Sequence, residues 1–443
     1  MSLKFGTDGV RGVANTELTP ELVLALGRAA ARVLGGTTFL VGRDTRVSGP
    51  MLQAALAAGL ASEGVSVTDL GVLPTPAVAF LSAQDNVPAA MISASHNPFP
   101  DNGIKVFAPG GRKLADDVEE RLEAELLDPT TKPGGLPAGA EIGRLRSATL
   151  PAMPYLDHLA EAVEGRSLAG LKVALDCANG SASAVAADAY RRLGAEVVVI
   201  NDRPDGVNIN DGCGSTHPQR LQQVVVDAGA DAGLAFDGDA DRVLAVDHTG
   251  AMVDGDAMMA ICAIDMRQRG TLAGDTVVVT VMTNMGFRLA MAERGINVVD
   301  TQVGDRYVLE ALEAGGYALG GEQSGHVIFR RLATTGDGLL TGLLLLDIVR
   351  RAGVPLAELA GVMTRLPQVL RNVRVASREG LETATQLWDE VARVEAELDG
   401  RGRVLLRPSG TEPLVRVMVE APTQDAADDA AARLVTAVEQ ALT

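Results

Sequence analysis

Apolar residues recur along this chain in two alternating rhythms, and their alternation predicts layered α/β structure. Thr19-Pro20 opens a stretch with helical spacing that stops at Gly35-Gly36, a capped start followed by a glycine end. A short apolar strand is expected over residues 38–41, a helix over 48–63, and further strands over 65–70 and 89–93. A Pro/Gly-rich, irregular stretch from 128 to 144 closes this first unit. Residues 171–176 then begin a second unit of the same build: strand, Asn179-Gly180, helix. A third begins at 276–281: strand, Asn284-Met285-Gly286, helix. Such an echo predicts repeated domains of similar construction.

Near Pro367 the pattern changes. Strands are expected over 371–375, 403–407 and 415–419, with helices between and after them, which predicts a smaller α+β domain. The resulting division is 1–150, 151–253, 254–366 and 367–443. With 47% hydrophobic residues the chain can fill several cores, but only 3% are aromatic, so Ala, Val, Leu and Ile must do the filling. The formal charge of −18 repels nucleic acid and anionic membranes, and neither is expected as a partner. No apolar run is long enough to span a bilayer, and residues 1–11 lack a signal-peptide core; a cytoplasmic protein is expected. Cys177, Cys213 and Cys262 are too scattered for a zinc site or a disulfide framework and read as small buried residues.

Two segments carry the sharpest chemistry. Residues 93–98 read Ser-Ala-Ser-His-Asn-Pro and sit just past the end of an expected strand, where open α/β sheets bind ligands. Residues 237–242 read Asp-Gly-Asp-Ala-Asp-Arg. In an extended segment, Asp237, Asp239 and Asp241 share one face and converge on a hard cation. An EF-hand begins alike but needs Gly at its sixth place and Glu at its twelfth, where this chain has Arg242 and His248. A hydroxyl that carries a phosphoryl group needs such a cation nearby, so the two segments together point to transfer through Ser95. His96 and Lys105 supply positive charge and protons, with Asn102-Gly103 expected as the turn that returns Lys105 toward Ser95.

Three further loops suit an anionic sugar. Gly320 to His326 follows an apolar strand; its Glu322 accepts hydrogen bonds and its Ser324 both donates and accepts, as vicinal hydroxyls require. Arg407 to Pro413 offers an arginine beside a Ser-Gly-Thr turn, the makings of an anion nest. Phe5 to Gly12 holds Arg11 on a glycine-rich segment. A non-catalytic sugar-phosphate sensor would dispense with Ser95 and the aspartates, and an acidic metal-binding scaffold would not need two phosphate-type loops.

These loops, at 93–98, 237–242, 321–326 and 407–413, resemble the α-D-phosphohexomutase superfamily in kind and in order, and the resemblance covers nearly the whole chain. The segments 5–12, 303–308 and 321–326 are worded most like its bacterial branch acting on glucosamine phosphates. The resemblance implies three similar mixed-sheet α/β domains plus a smaller C-terminal α+β domain around a central cleft. It implies interconversion of glucosamine 6-phosphate and glucosamine 1-phosphate through a phosphoserine and a 1,6-bisphosphate, on the route to UDP-N-acetylglucosamine; mannose or glucose phosphates are the alternative substrates. Ser95 is then the phosphoserine, and Asp237, Asp239 and Asp241 hold one Mg²⁺ with it. Arg11, His96 and Lys105 surround the reacting centre. Glu322, Ser324 and His326 meet the sugar, while Arg407, Ser409, Gly410 and Thr411 grip the idle phosphate. Assembly stays open, a homodimer being common among relatives.

Overall fold

The computed structural model describes residues 9–127, 135–376, 380–408 and 414–442. The helical run opened by Thr19 is Pro20–Leu34, with Thr19 Oγ1 accepting from the Leu22 N–H and Gly35 ending it at a φ of 68°. That left-handed stop is natural for glycine and disfavoured for other residues. The helix packs on Gly49–Ser62 through reciprocal glycines. A Cβ on Gly27 would lie 2.4 Å from Leu56 O, and one on Gly59 would lie 2.2 Å from Leu24 O.

Four sheets follow one another along the chain. The first contains β1 (Val10–Val13), β2 (Thr38–Arg43), β3 (Ser66–Val72), β4 (Ala89–Ile92), β5 (Asp101–Ala108), β6 (Arg112–Lys113) and β7 (Leu145–Ser147). The second contains β8 (Lys172–Asp176), β9 (Glu196–Ile200), β10 (Ala232–Phe236), β11 (Val243–Asp247) and β12 (Met252–Val253). The third contains β13 (Thr276–Thr280), β14 (Asn297–Thr301), β15 (Leu319–Gly321) and β16 (Val327–Phe329). The last is an antiparallel sheet of β17 (Gln368–Arg374), β18 (Arg403–Pro408) and β19 (Leu414–Glu420) in the order β17-β19-β18.

The expected repetition is visible in the wiring. β3-β2-β4-β5, β9-β8-β10-β11 and β14-β13-β15-β16 share one order, with three parallel strands and a fourth running antiparallel. In each copy the first strand is central and buried on both faces, which is why β13 reads Thr-Val-Val-Val-Thr without polar alternation. In each copy, too, the third and fourth strands are joined by a tight connection. Those three connections are residues 93–100, 237–242 and 322–326, the places where the sequence put its phosphoserine, metal and sugar loops.

Contacts divide the chain into two compact units: Met1–Met282 with Ile296–Gly361, and Thr283–Gly295 with Val362–Thr443. The second unit includes the helix Met285–Glu293 because Glu420, fully buried, accepts from Asn284 Nδ2, the Met285 N–H and Arg403 Nε. Its core is built from Val, Leu and Ala of β17, β19 and the helices Thr385–Leu398 and Gln424–Leu442. All three cysteines are buried and free, as expected. Among the described residues no helix is long and apolar enough to cross a membrane.

Replacing a mid-helix glycine by alanine ordinarily stabilises by about 0.5–1 kcal/mol. Gly59→Ala should instead destabilise by about 1–3 kcal/mol, because its methyl would meet backbone that cannot yield. Denaturant unfolding checks this, and a stabilised variant contradicts the close packing.

Candidate active site

The first connection turns sharply after β4, and Ser95 takes a φ of 53° there. Its Oγ donates to Asp237 Oδ2 at 2.5 Å and lies 3.3 Å from His96 Nδ1. Ser95 and Asp237 are each only 1% exposed. Residues 237–242 do not form the extended segment that the alternation of aspartates suggested. They form a turn, closed by the Ala240 N–H on Asp237 O at 3.0 Å, with Ala240 at a φ of 56°. The turn gathers the carboxylates more tightly than a strand would: one oxygen from each of Asp237, Asp239 and Asp241 lies within 4.8 Å of the others. Gly238 is required for a different reason than flexibility, since a Cβ there would sit 2.5 Å from Ser95 O.

Asn102-Gly103 is likewise not a turn. Both lie inside β5, paired with Gly12 and Arg11 of β1, and the chain reverses earlier, at Asn97–Pro100. The pair suits a crowded strand: Asn102 satisfies itself by accepting from the Gly103 N–H and donating to Ser48 Oγ. Gly103 leaves room where a Cβ would meet Ser93 O at 2.7 Å. The antiparallel return still delivers Lys105, opposite Met91, to the carboxylates. Its Nζ lies 2.8 Å from Asp239 Oδ2 and 3.1 Å from Asp241 Oδ2.

Three buried carboxylates cannot all bear charge without compensation. Burial, and then the charges of Asp241 and Asp239, push Asp237 well above the usual carboxylate range. Burial acts on Asp241 in the same direction, but Lys105, His326 and Arg242 hold it well below. Among the described residues, Asp239 Oδ1 and Asp241 Oδ1 accept no hydrogen bond although both are buried. Unsatisfied carboxylate oxygens beside a short-bonded hydroxyl fit a hard divalent cation, which takes oxygen ligands. His96 is held below its ordinary pKa by burial and by the charges of Arg242 and Arg11, which favours the neutral ring.

The 322–326 turn packs directly beside the 237–242 turn. The Val243 N–H donates to Gly325 O at 3.1 Å, and a Cβ on Gly325, whose φ is 89°, would lie 1.9 Å from Val243 O. Glu322 and Ser324 are partly exposed on this turn; Glu322 Oε1 accepts from the Gly304 N–H, and Ser324 Oγ donates to Glu322 Oε2 at 3.5 Å. His326 is placed differently from its neighbours in the motif. It is 2% exposed, its Nε2 accepts from the Gly336 N–H at 3.0 Å, and its Nδ1 is 3.7 Å from Asp241 Oδ1. It lies beneath a metal-loop carboxylate, whereas Glu322 and Ser324 face outward.

Arg407 lies on β18 in the second unit, directly across from Arg416. Burial and the Arg416 charge lower its pKa from the ordinary value, and among the described residues neither arginine has a carboxylate partner. Two opposed cations destabilise a strand pair unless an anion joins them. Ser409, Gly410 and Thr411 lie outside the described residues.

Several contributors gave little signal in the sequence. Thr75 caps the metal loop, donating through Oγ1 to Asp239 Oδ2 at 2.6 Å and through its N–H to Asp239 O at 2.9 Å. Arg242, inside the motif but given no role, donates its N–H to Asp237 Oδ1 and lies 3.4 Å from His96 Nδ1. Arg46 and Asn210 both donate to the Ser95 carbonyl. Arg46 follows an apolar strand, a position that repays attention in α/β sheets; Asn210 sits in an irregular loop without a flag.

Comparison with known proteins extends this geometry. The chain matches family models described as phosphoglucomutase/phosphomannomutase alpha/beta/alpha domain I over residues 2–132, domain II over 153–250, domain III over 254–366 and the C-terminal domain over 370–437. It is 57% identical over 428 residues to a phosphoglucosamine mutase of Rhodococcus jostii, covering 95% of this chain and 96% of that one. It is 55% identical over 455 residues to one of Frankia alni, covering 100% and 99%. Among solved structures, a phosphoglucomutase/phosphomannomutase family protein of Burkholderia thailandensis superposes with a TM-score of 0.80 at 28% identity, covering 98% of this chain and 97% of that one.

If the unfilled oxygens mark a cation site, Asp239→Asn should weaken Mn²⁺ or Mg²⁺ binding by at least about tenfold while the fold persists. Calorimetric titration measures it, and an unchanged affinity would remove Asp239 from the site.

Proposed function

The chain belongs to the phosphoglucomutase/phosphomannomutase family, and from that premise we propose that it interconverts glucosamine 6-phosphate and glucosamine 1-phosphate. The observation that carries the chemistry is Ser95 Oγ held 2.5 Å from Asp237 inside a cluster with two unsatisfied carboxylate oxygens. A hydroxyl so placed is a phosphoryl carrier. The phosphoserine form of Ser95 gives its phosphoryl group to the free hydroxyl of the sugar phosphate. The bond from phosphorus to Oγ breaks, a bond to the sugar oxygen forms, and the hydroxyl proton leaves to a base. The bisphosphate then turns end for end, and its other phosphoryl group returns to Oγ.

Mg²⁺, held by Asp237, Asp239, Asp241 and the Ser95 phosphate, would offset charge on the transferring group. The chain's own residues do the rest. Neutral His96, with Nδ1 3.3 Å from Ser95 Oγ, takes or returns the proton. Lys105 offsets the aspartates, and Arg11, from β1, adds positive charge beside His96. Glu322 and Ser324 take sugar hydroxyls in both poses. Arg407, with Ser409, Gly410 and Thr411, takes the phosphate that is not reacting; the Arg407–Arg416 pair, which has no carboxylate partner among the described residues, supports this, since it gains stability from a dianion. His326 serves this scheme by keeping Asp241 in place.

Ser95→Ala should fold normally and lose about 10³-fold or more in kcat/KM, the scale on which loss of a covalent nucleophile acts. Normal turnover by that variant would end the phosphoenzyme scheme. Kinetics on glucosamine 6-phosphate against glucose and mannose phosphates test the sugar; equal or better kcat/KM for the neutral sugars would transfer the assignment to them.

A further inference from the structure

We propose that Arg46 and Asn210 are positioning residues for phosphoryl transfer, holding the Ser95 backbone in the left-handed conformation that aims Oγ at the metal loop. The proposal rests on the phosphoserine reading given above. A φ of 53° at a serine is disfavoured on its own, so the surrounding structure must impose it. The hydrogen bonds show how. Arg46 is 1% exposed and spends both terminal nitrogens of its guanidinium on carbonyls of one loop. Nη2 donates to Ser95 O at 3.0 Å and Asn97 O at 2.8 Å, while Nη1 donates to Pro98 O and to Asp101 O at 2.9 Å.

Asn210 reaches the same two carbonyls from the second sheet's side of the site. Its Nδ2 donates to Ser95 O at 2.9 Å and to Asn97 O at 3.0 Å. The peptide on the other side of Ser95 is tied to the same buried group. The Ser95 N–H donates to Ser93 Oγ, and the Ser93 hydroxyl donates to Asp44 Oδ2 at 2.6 Å. Asp44 in turn accepts from the N–H and Nε of Arg46. Both peptides flanking Ser95 are therefore anchored to the Asp44–Arg46 pair, and rotation about φ would break bonds at one end or the other. Lysine cannot substitute, because its single nitrogen lacks the planar fork that spans four carbonyls.

Such a grip matters to a carrier that releases its phosphoryl group and must receive another in the same place. Small displacements of a reacting oxygen cost up to about 10²-fold in rate. None of these residues touches the transferring group, so their removal should change kcat and spare sugar binding.

The test compares wild type, Asn210→Ala and Arg46→Lys as full-length Mg²⁺-loaded enzymes. Measurements are steady-state kinetics on glucosamine 6-phosphate primed with its 1,6-bisphosphate, thermal melting, and the ³¹P resonance of the phosphoserine. Asn210→Ala should melt like wild type, keep KM within about twofold, lose about 10- to 100-fold in kcat, and show a shifted or broadened ³¹P signal. A folded Arg46→Lys should fall at least as far. The proposal is overturned if Asn210→Ala keeps wild-type kcat and ³¹P signal, or if its loss tracks melting alone with the resonance unmoved. Should Arg46→Lys fail to fold, Asn210→Ala decides. A wild-type enzyme that never carries phosphate at Ser95 would overturn the phosphoserine reading itself, whereas a normal phosphoenzyme with unaffected variants overturns only the positioning role.

Discussion

Like charges packed out of water are the constraint around which the first unit is organised. Asp237, Asp239 and Asp241 lie within one ion's reach, and each is at most 4% exposed. Water cannot offset them, so protein groups must. Lys105 comes from the first sheet, Arg242 from the turn itself, and His326 from the third sheet, while Thr75 and Ser95 donate hydroxyls. The compensation is incomplete: Asp237 stays well above the usual carboxylate range, and two oxygens accept no hydrogen bond among the described residues. That residue of unmet charge suits the cluster to a cation better than a buried ion-pair network would be suited.

The cluster also explains why three sheets act together. Ser95, Asp237 and Glu322 occupy the same connection in three copies of one strand arrangement. Close backbone contacts fuse the copies there. Gly238 meets Ser95 O, Gly325 meets Val243 O, and the Gly338 N–H donates to Ala240 O. Glycine at 238 and 325 is thus a matter of clearance between loops, with a positive φ added at 325.

Much of this was legible in the sequence because the chemistry sits in contiguous words. Ser95, the three aspartates and Glu322 lie in segments whose residue types mark them as candidates, and strand positions followed from apolar runs. Local reading failed where tertiary context decides conformation. Asn102-Gly103 has turn chemistry, yet β1 and β4 recruit it as a strand. The aspartate alternation fits an extended segment, yet Ala240 bends it into a turn. His326 shares a motif with the partly exposed Glu322 yet is buried near Asp241, a placement that no pattern of neighbours encodes. Arg46 and Asn210 act on carbonyls, and every residue has a carbonyl; a partner so generic leaves no mark at its own position.

Placing three unlike tasks on equivalent hairpins has a consequence for how such a molecule can vary over time. In each copy a central parallel strand, β4, β10 or β13, is buried along its whole length and indifferent to what the hairpin displays. A duplicated sheet can therefore keep its architecture while its tip drifts toward new chemistry. On the proposed assignment, selectivity for one hexose over another could change in the 322–326 tip without asking Ser95, two copies back along the chain, or the aspartates, one copy back, to change with it.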